Sequence, residues 1–252
     1  MKSKNLATKI FSIALILVSW SASAEQVKGT VLVAGATGSI GRIVIGLLND
    51  QGYAVRGMTR NPERAAELYG NDYEWVRGDV RDPADLEPVM AGIDWLICSI
   101  SYSEFEGPNS PQFVDYMGVR NLVDAARRHG VKHFVLVSAG SSGPYRDHTQ
   151  NPRFGYVAYW KTKGENYLKN SGLSFTIVGP GGFLDEPGGV KGIRIFSRSE
   201  YSMGYIGRED VATIVVASLT NPDARNKAFA AQYDDTVAPG SWRETFRTLQ
   251  PE

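Results

Sequence analysis

The segment of residues 29–43, which reads GTVLVAGATGSIGRI, constrains the fold of this chain more than any other. It opens with an unbroken apolar run at residues 31–33, which is typical of a strand buried on both faces of a sheet. From Ser39 onward apolar residues recur at helical spacing, which predicts a helix that packs on that sheet. The turn between them carries three glycines at intervals of three, Gly35, Gly38 and Gly41.

A strand, a glycine turn and a helix in this order direct backbone N–H groups and the positive end of a helix at a phosphate. Gly35 permits the tight turn, Gly38 lets a pyrophosphate approach the backbone, and Gly41 allows close contact between helix and strand. The alternative is a glycine-rich turn without a ligand, but its place between a buried strand and an amphipathic helix favours a dinucleotide site. The predicted cofactor contacts here are Gly35, Thr37, Gly38, Ser39, Ile40, Gly41 and Arg42.

Strands and helices alternate along the rest of the chain. Further strands are predicted at residues 54–58, 73–76, 95–100, 134–138, 175–178 and 228–232. Helices are predicted at residues 62–69, 85–90, 111–129, 154–171 and 242–249. Such alternation implies right-handed crossovers between parallel strands. We therefore expect residues 25–252 to form a single Rossmann-like α/β domain, a doubly wound parallel sheet with helices on both faces and a small C-terminal substrate lobe.

Three segments resemble a known family. Residues 35–41, GATGSIG, resemble the G-x-x-G-x-x-G turn of the extended and atypical short-chain dehydrogenase/reductase superfamily. Residues 114–126, VDYMGVRNLVDAA, resemble the fourth helix of its extended members. Residues 179–188, GPGGFLDEPG, resemble the family's R-P-G-G-L-x-D-E-P-G turn, with Gly179 where arginine is common. The resemblance covers nearly all of residues 29–235 and indicates the NmrA-like NAD(P)-binding branch.

The end of the second predicted strand bears on the choice of cofactor. Sites that select NAD carry an acidic side chain near this position, which binds the ribose 2′-hydroxyl. This chain has Thr59 and Arg60 instead, and Arg42 directly follows the glycine turn. A guanidinium pairs well with a 2′-phosphate, so NADP(H) is favoured over NAD(H). The alternative is that Arg42 and Arg60 are ordinary solvated surface charges.

The resemblance also implies contacts farther along the cofactor. Asp79 and Val80 match the family's G-D-hydrophobic step beside the adenine ring, and Ser99 lies where the family lines the nicotinamide ribose. The alternative role for Asp79 is to cap the helix that begins near Pro83, which is compatible with an adenine contact.

Three residues match the catalytic set of the superfamily. Tyr159 and Lys163 form a Y-x-x-x-K pattern, which places both side chains on one helix face. The resemblance implies that the tyrosine donates a proton to the substrate, while the lysine holds the nicotinamide ribose and lowers the pKa of the tyrosine. Ser138 matches the serine that bonds the reacting oxygen. The alternative is that Tyr159 is a packed wall residue, since the helix is rich in tyrosine and lysine.

The composition limits which kinds of partner and bound metal the chain is expected to have. Lys+Arg and Asp+Glu number 27 each, so no basic excess indicates nucleic acid or a membrane surface. Cys98 is the single cysteine, which excludes an intrachain disulfide and predicts a small buried apolar residue. The histidines are far apart and form no metal-ligand pattern, so no metal site is predicted at His129, His133 and His148.

The N-terminus has the layout of a secretory signal peptide. Lysines precede an apolar run at residues 11–20, and Ala22–Ala24 supplies a small-residue cleavage pattern. The apolar run is short for a membrane span, so none is expected after cleavage of residues 1–24. We therefore expect an exported protein, periplasmic or secreted. The alternative is a cytoplasmic protein whose N-terminus is not processed.

These residues and the resemblance together predict an NADP(H)-dependent oxidoreductase that reduces a carbonyl or related group of a small molecule. A non-catalytic NADP(H)-binding protein, which senses redox state or scaffolds an assembly, is the alternative from another class. A third possibility is a domain that lost its nucleotide after it acquired export. The walls of the substrate crevice are expected in the loops at residues 102–112, 140–153 and 181–200.

Overall fold

The computed structural model describes residues 28–143 and 155–251. The predicted signal peptide, residues 1–24, lies outside the described residues. So does His148, with most of the loop that was predicted to follow the fifth strand.

A mostly parallel sheet forms the centre of the fold. The strands are β1 (Thr30–Ala34), β2 (Ala54–Thr59), β3 (Glu74–Arg77), β4 (Trp95–Cys98), β5 (His133–Val137), β6 (Phe175–Pro180), β7 (Gly182–Leu184), β8 (Ile193–Phe196), β9 (Tyr205–Gly207) and β10 (Lys227–Tyr233). Within the described part of the chain, eight of them form one sheet in the order β3-β2-β1-β4-β5-β6-β10-β8. All neighbours in it are parallel except β8, which pairs antiparallel with β10.

Helices cover both faces of this sheet. They are α1 (Gly41–Asp50), α2 (Pro62–Tyr69), α3 (Pro83–Met90), α4 (Val119–Arg128), α5 (Val157–Lys169), α6 (Arg208–Ser218) and α7 (Trp242–Thr248). Apolar residues of α1, α6 and α7 share one buried cluster, and those of α3, α4 and α5 share the other. The predicted doubly wound α/β fold is therefore confirmed.

The strand order places a crevice at the centre of the sheet. Strand β1 pairs with β2 on one side and with β4 on the other, so the chain changes direction across the sheet at β1. Ligands of open α/β sheets bind at such a switch point, outside the carboxyl ends of the strands. Residues 31–34 of β1 are fully buried because α-helices cover the sheet on both sides, as their apolar run predicts.

Two stretches differ from the prediction. Three short strands, β7, β8 and β9, occupy a region predicted as turn and loop, and β7 pairs with β9 in a separate two-stranded sheet. The helix predicted at residues 111–129 begins as a π-helical segment, Gln112–Gly118, before it continues as α4. The Tyr116 N–H bonds the carbonyl of Pro111, five residues earlier, which widens this turn.

Helices long and apolar enough to cross a membrane are absent from residues 28–143 and 155–251.

Candidate active site

The glycine turn after β1 leaves the end of α1 open to a ligand. Gly35 has φ +85°, and a Cβ there would lie 2.8 Å from the carbonyl carbon of Ser99. A Cβ on Gly41 would lie 2.1 Å from the Gly35 carbonyl oxygen, so the helix start can pack on the turn only with glycine. Ile40 at the N-cap provides no side-chain cap, and the first turn has no acid. The positive end of the helix is therefore free to bind an anion.

A cleft of about 620 Å³ runs from this turn along the carboxyl ends of the strands. It brings together most of the residues predicted to bind cofactor, and Ser138 with them. The predicted residues that line it are Gly35, Thr37, Gly38, Ser39, Ile40, Thr59, Arg60, Asp79, Val80, Ser99 and Ser138.

Four predicted residues do not line the cleft. Gly41 lies beneath the glycine turn, and Arg42 is exposed outside the cleft. Tyr159 packs edge-on against Trp160, with ring centroids 4.9 Å apart. Lys163 is exposed, and its Nζ lies 5.9 Å from the centre of the Tyr159 ring. The structure thus brings Tyr159 and Lys163 together, but outside the cleft that Ser138 and most of the predicted cofactor residues line.

The lysine on the wall of the cleft is Lys161. It lies one helical turn after Val157, which lines the cleft at the position where a Y-x-x-x-K pattern ending at Lys161 would have its tyrosine. The Lys161 Nζ donates a hydrogen bond to Asp115 Oδ1 at 2.6 Å. The side chains of Lys161 and Asp115 are 12% and 2% exposed, so this ion pair is almost wholly buried.

Asp115 is positioned by the π-helical segment before α4. Its other oxygen, Oδ2, accepts the backbone N–H of Tyr102 at 3.1 Å. A Cβ on Gly164 would lie 2.6 Å from the Asp115 carbonyl oxygen, so α5 approaches this segment closely. Burial by itself lowers the pKa of the Lys161 ammonium, but the charge and hydrogen bond of Asp115 outweigh it, and the pKa lies above its ordinary value. Lys161 is therefore a cation at neutral pH.

At the other end of the cleft, Asp79 and Arg60 have different environments. The Asp79 Oδ2 accepts a hydrogen bond from Arg81 Nη2 at 2.5 Å, and this pairing holds the pKa of the Asp79 carboxyl below its ordinary value. The cap of α3 is Asp82, which accepts the Ala84 N–H at 3.0 Å, so Asp79 does not serve as the helix cap. Arg60 forms no ion pair with the residues that the structure describes, and its guanidinium stays available to a ligand.

Ser138 lies at the carboxyl end of β5, above a buried polar network that the sequence did not predict. Its Oγ donates to Glu165 Oε1 and lies 3.0 Å from Ser142 Oγ. Arg198 donates from Nη2 to Glu165 Oε1 at 2.9 Å. The network connects β5, α5 and the segment after β8, so side chains far apart in sequence hold Ser138 in place.

Comparisons with known proteins identify the family of this chain. A family model described as NAD(P)H-binding matches residues 35–222. The chain belongs to this family of NAD(P)H-binding proteins, of the atypical short-chain dehydrogenase/reductase type. The predicted family is therefore confirmed.

Relatives of this family match most of the chain. Sanguinarine reductase of Eschscholzia californica is 33% identical over 245 residues, which cover 80% of this chain and 88% of the relative. The uncharacterized sugar epimerase YhfK of Bacillus subtilis is 30% identical over 208 residues, 82% of this chain and 95% of the relative. The NAD(P)H azoreductase of Xenophilus azovorans is 26% identical over 209 residues, 79% of this chain and 66% of the relative.

Two solved structures show the same fold. The oxidoreductase ylbE of Lactococcus lactis superimposes with a TM-score of 0.70 at 22% identity, over 87% of this chain and 96% of that chain. ChuY, an anaerobillin reductase of Escherichia coli O157:H7, also gives a TM-score of 0.70 at 22% identity, over 82% of this chain and 98% of that chain.

The residues of the cleft fit the family's dinucleotide. The uncapped start of α1 and the glycine turn suit its pyrophosphate, because both present backbone N–H groups. Asp79 and Val80 line the part of the cleft where the adenine is expected, and Ser138 and Lys161 line the part where the nicotinamide is expected. In contrast, groups of three or more potential metal ligands are absent from the residues described.

Lys161 could have been found from the helical pattern of α5. Val157, Lys161, Gly164 and Leu168 recur at spacings of four, three and four residues, which place them on one helix face. Leu168 and Gly164 are buried, so Lys161 lies on the inward stripe and Lys163 does not. Glu165 and Arg198 gave no such signal, since their pairing depends on how α5 meets the segment after β8.

Proposed function

We propose that the protein is an NADP(H)-dependent reductase that acts on a carbonyl or related group of a small molecule. The observation that carries this proposal is Lys161, a buried cation on the wall of the cofactor cleft. Burying a charged group is costly, and a protein retains it where the charge is used or well paired. Lys161 has one carboxylate partner, Asp115, and an ammonium has two further protons to donate.

The preference for NADP(H) rests on Arg60. Its guanidinium follows β2, lines the cleft and makes no ion pair with a described residue. A 2′-phosphate would be its natural partner, because guanidinium and phosphate form parallel charge-assisted hydrogen bonds. Thr59 and Asn61 beside it add polar groups but no negative charge.

The chemistry assigned to this chain's residues follows from their placement. NADPH, when bound, supplies a hydride. Lys161 holds its proton at Nζ, donates hydrogen bonds into the cleft and stabilises the negative charge that develops on a substrate oxygen, which then takes its proton from water. Asp115 keeps that proton on Nζ. Lys161 thus occupies the place in the cleft that was predicted for Lys163, but with a different role. Val157 occupies the helix position of the superfamily tyrosine and has no hydroxyl.

The substrate would enter beside apolar and aromatic walls. Tyr102, Val157 and Phe183 line the cleft, and Phe183 is 38% exposed in strand β7. Such walls suit a ligand with a large flat apolar surface. The names of sanguinarine reductase and the NAD(P)H azoreductase describe reductases, which supports a reductase here as well.

We further propose that the protein is exported. The support is the N-terminal pattern of lysines, apolar run and Ala22–Ala24 motif, which precedes the first described residue, Lys28.

The test begins with fluorescence titration of the purified protein with NADPH and NADH, followed by a screen of carbonyl and azo compounds. We expect NADPH to bind more tightly. With a substrate in hand, Lys161→Ala should lower turnover by roughly 10²–10³-fold, the usual cost of losing one donor that stabilises a developing negative charge. Lys163→Ala, the same change two residues away, should have little effect. The reverse outcome, with Tyr159→Phe inactive, would restore the Tyr159–Lys163 pair as the catalytic set.

The alternative function is a non-catalytic NADP(H)-binding protein. It is favoured by Val157, because this side chain lines the cleft where the reductases of the superfamily place their tyrosine. It predicts tight NADPH binding, no turnover of any compound in the screen, and the same binding in Tyr159→Phe.

A further inference from the structure

A buried ion pair lies directly behind Ser138. Glu165 is 0% exposed and Arg198 is 1% exposed, and the Arg198 Nη2 lies 2.9 Å from Glu165 Oε1. Arg198 also donates from Nε to the Ser142 carbonyl oxygen at 3.2 Å and from Nη2 to Ser142 Oγ at 2.9 Å. The Glu165 carboxylate is held through Oε1, which lies within hydrogen-bond distance of Arg198 Nη2 and of the hydroxyls of Ser138 and Ser142.

The carboxylate determines which way the Ser138 hydroxyl points. An ionised carboxylate can only accept hydrogen bonds, so Ser138 must donate its single proton to Glu165 Oε1. Ser142 Oγ lies 2.7 Å from the same oxygen and 2.8 Å from the Ala139 carbonyl oxygen, both of which are acceptors. The proton of Ser138 therefore points into the protein. At least one lone pair of its oxygen remains for the cleft.

This orientation is opposite to the one that the family resemblance implies for Ser138. A serine that polarises a substrate carbonyl donates its proton to the carbonyl oxygen. Here that donation would break a charge-assisted hydrogen bond to Glu165, which is roughly twice as strong as a neutral one. In this chain Ser138 is arranged to accept a hydrogen bond from a ligand N–H or O–H.

The neighbours of Ser138 offer few other polar groups to a ligand. Along the wall formed by the ends of β5 and β6, the other described lining residues are Val137, Ala139, Pro180 and Gly181, whose side chains have no polar atoms. The nearby backbone N–H groups are used within the protein: Ser138 to Val178, Gly140 to Pro180 and Gly181 to Ala231, at 2.7–2.9 Å.

With the pyrophosphate at the glycine turn and the adenine toward Asp79, the nicotinamide must reach the β5–β6 wall. The N–H donor at that end of the cofactor is its carboxamide. We propose that Ser138 Oγ accepts a hydrogen bond from the carboxamide N–H of the nicotinamide. Glu165 and Arg198 are positioning residues, because they orient a lone pair of Ser138 Oγ toward the cleft. This inference rests on the proposed NADP(H) binding. The bond would fix the rotation of the carboxamide and, with it, the orientation of the ring.

The experiment compares NADP⁺ with its 3-acetylpyridine analogue, in which a methyl group replaces the carboxamide NH₂. Dissociation constants of both are measured by calorimetry for the wild type, Ser138→Ala and Ser142→Ala. Ser142→Ala is the matched control, because it removes a hydroxyl from the same carboxylate but Ser142 does not line the cleft.

We expect the wild type to bind NADP⁺ about fivefold more tightly than the analogue, the fold-change typical of one hydrogen bond. Ser138→Ala should abolish this preference, and Ser142→Ala should retain it. A preference that survives in Ser138→Ala, or one absent from the wild type, would overturn the inference while NADP(H) binding stands. A wild type that binds neither dinucleotide would overturn the proposed function and this inference with it.

Discussion

Arginine side chains near the cleft differ in whether a carboxylate already holds them. Arg81 is engaged by Asp79, at 2.5 Å, and also bonds Asn109 Oδ1 at 2.9 Å. Arg60 lines the same cleft without an ion pair among the described residues. Replacing a paired arginine also removes an ion pair within the protein. Replacing an unpaired arginine removes only its contacts with a ligand. Arg60 therefore permits a clean test of cofactor preference.

The change is Arg60→Ala. Loss of a charge-assisted pair costs roughly 1.5–3 kcal/mol, so NADPH affinity should fall by about tenfold to a hundredfold, while NADH affinity stays nearly constant. Fluorescence titration with both nucleotides measures this, with Arg42→Ala as the control because Arg42 is exposed outside the cleft. Equal losses for NADPH and NADH would contradict the assignment of Arg60 to the 2′-phosphate.

Cys98 ends strand β4 and is fully buried, as the sequence predicted. Burial raises the pKa of its thiol to about 12, so the reactive thiolate is scarce at neutral pH. A thiol-specific chromogenic reagent should therefore not react with the native protein at pH 8, and should titrate one thiol after unfolding in guanidinium chloride. Rapid reaction of the native protein would show that β4 opens readily.

His133 links protein stability to pH. It is fully buried, with its ring nitrogens 2.8 Å from Ser174 Oγ and 3.0 Å from Thr176 Oγ1, and burial lowers its pKa to about 4. Below pH 6.5 the unfolded chain binds a proton that the folded chain rejects, so stability falls between pH 6.5 and 4. His133 should account for about 2 kcal/mol of the difference in unfolding free energy between pH 7.5 and 5. Urea unfolding of the wild type and His133→Asn at both values should show a smaller difference in the variant.

At the scale of elements, the site depends on how the π-helical segment and α5 meet. An amphipathic pattern does not distinguish π from α winding over one turn, so the sequence predicted one continuous helix there. The Y-x-x-x-K pattern lies on the helix that forms a wall of the cleft, but Tyr159 and Lys163 themselves do not line the cleft. Gly164 lies on the same helix face as Lys161, and its missing side chain lets this face of α5 approach the Asp115 backbone.

This meeting of elements predicts the effect of Asp115→Asn. The variant loses the charge that raises the pKa of Lys161, while burial continues to lower it. Lys161 should then lose its proton at lower pH, and the alkaline fall in turnover should move to lower pH. Asp124→Asn is the matched control, since this α4 carboxylate bonds Tyr167. Turnover profiles from pH 6 to 11 measure the shift, and coincident profiles would rule out this role for Asp115.

At the scale of the whole molecule, the fold was predictable because buried parallel strands are continuous apolar runs and the intervening helices are amphipathic. The glycine turn then located the cofactor end of the cleft, since its function depends on local backbone geometry. Two of the loops predicted as crevice walls, 102–112 and 181–200, do line the cleft, through Tyr102 and Phe183, but the placement of their side chains was not predictable. Strands β7 and β9 have three residues each, too short for a pattern, and the Glu165–Arg198 pair forms only after distant segments have packed.

The N-terminus provides a prediction for the whole chain. If the export segment is cleaved, the mature protein begins near Glu25, just before the first described residues. N-terminal sequencing of protein from the native host, after fractionation of the cells, should give this start outside the cytoplasm. An intact Met1 on cytoplasmic protein would contradict export.

Strand β10 is the last strand in the chain, yet it lies inside the sheet, between β6 and β8. While the protein is being synthesised, β6 has a free edge and β8 has no neighbour until residues 227–233 leave the ribosome. The eight-stranded sheet can therefore be completed only after residues 227–233 have emerged. The spatial order of the strands thereby sets a time during which the sheet of the nascent chain is incomplete and its strand edges are accessible to proteases.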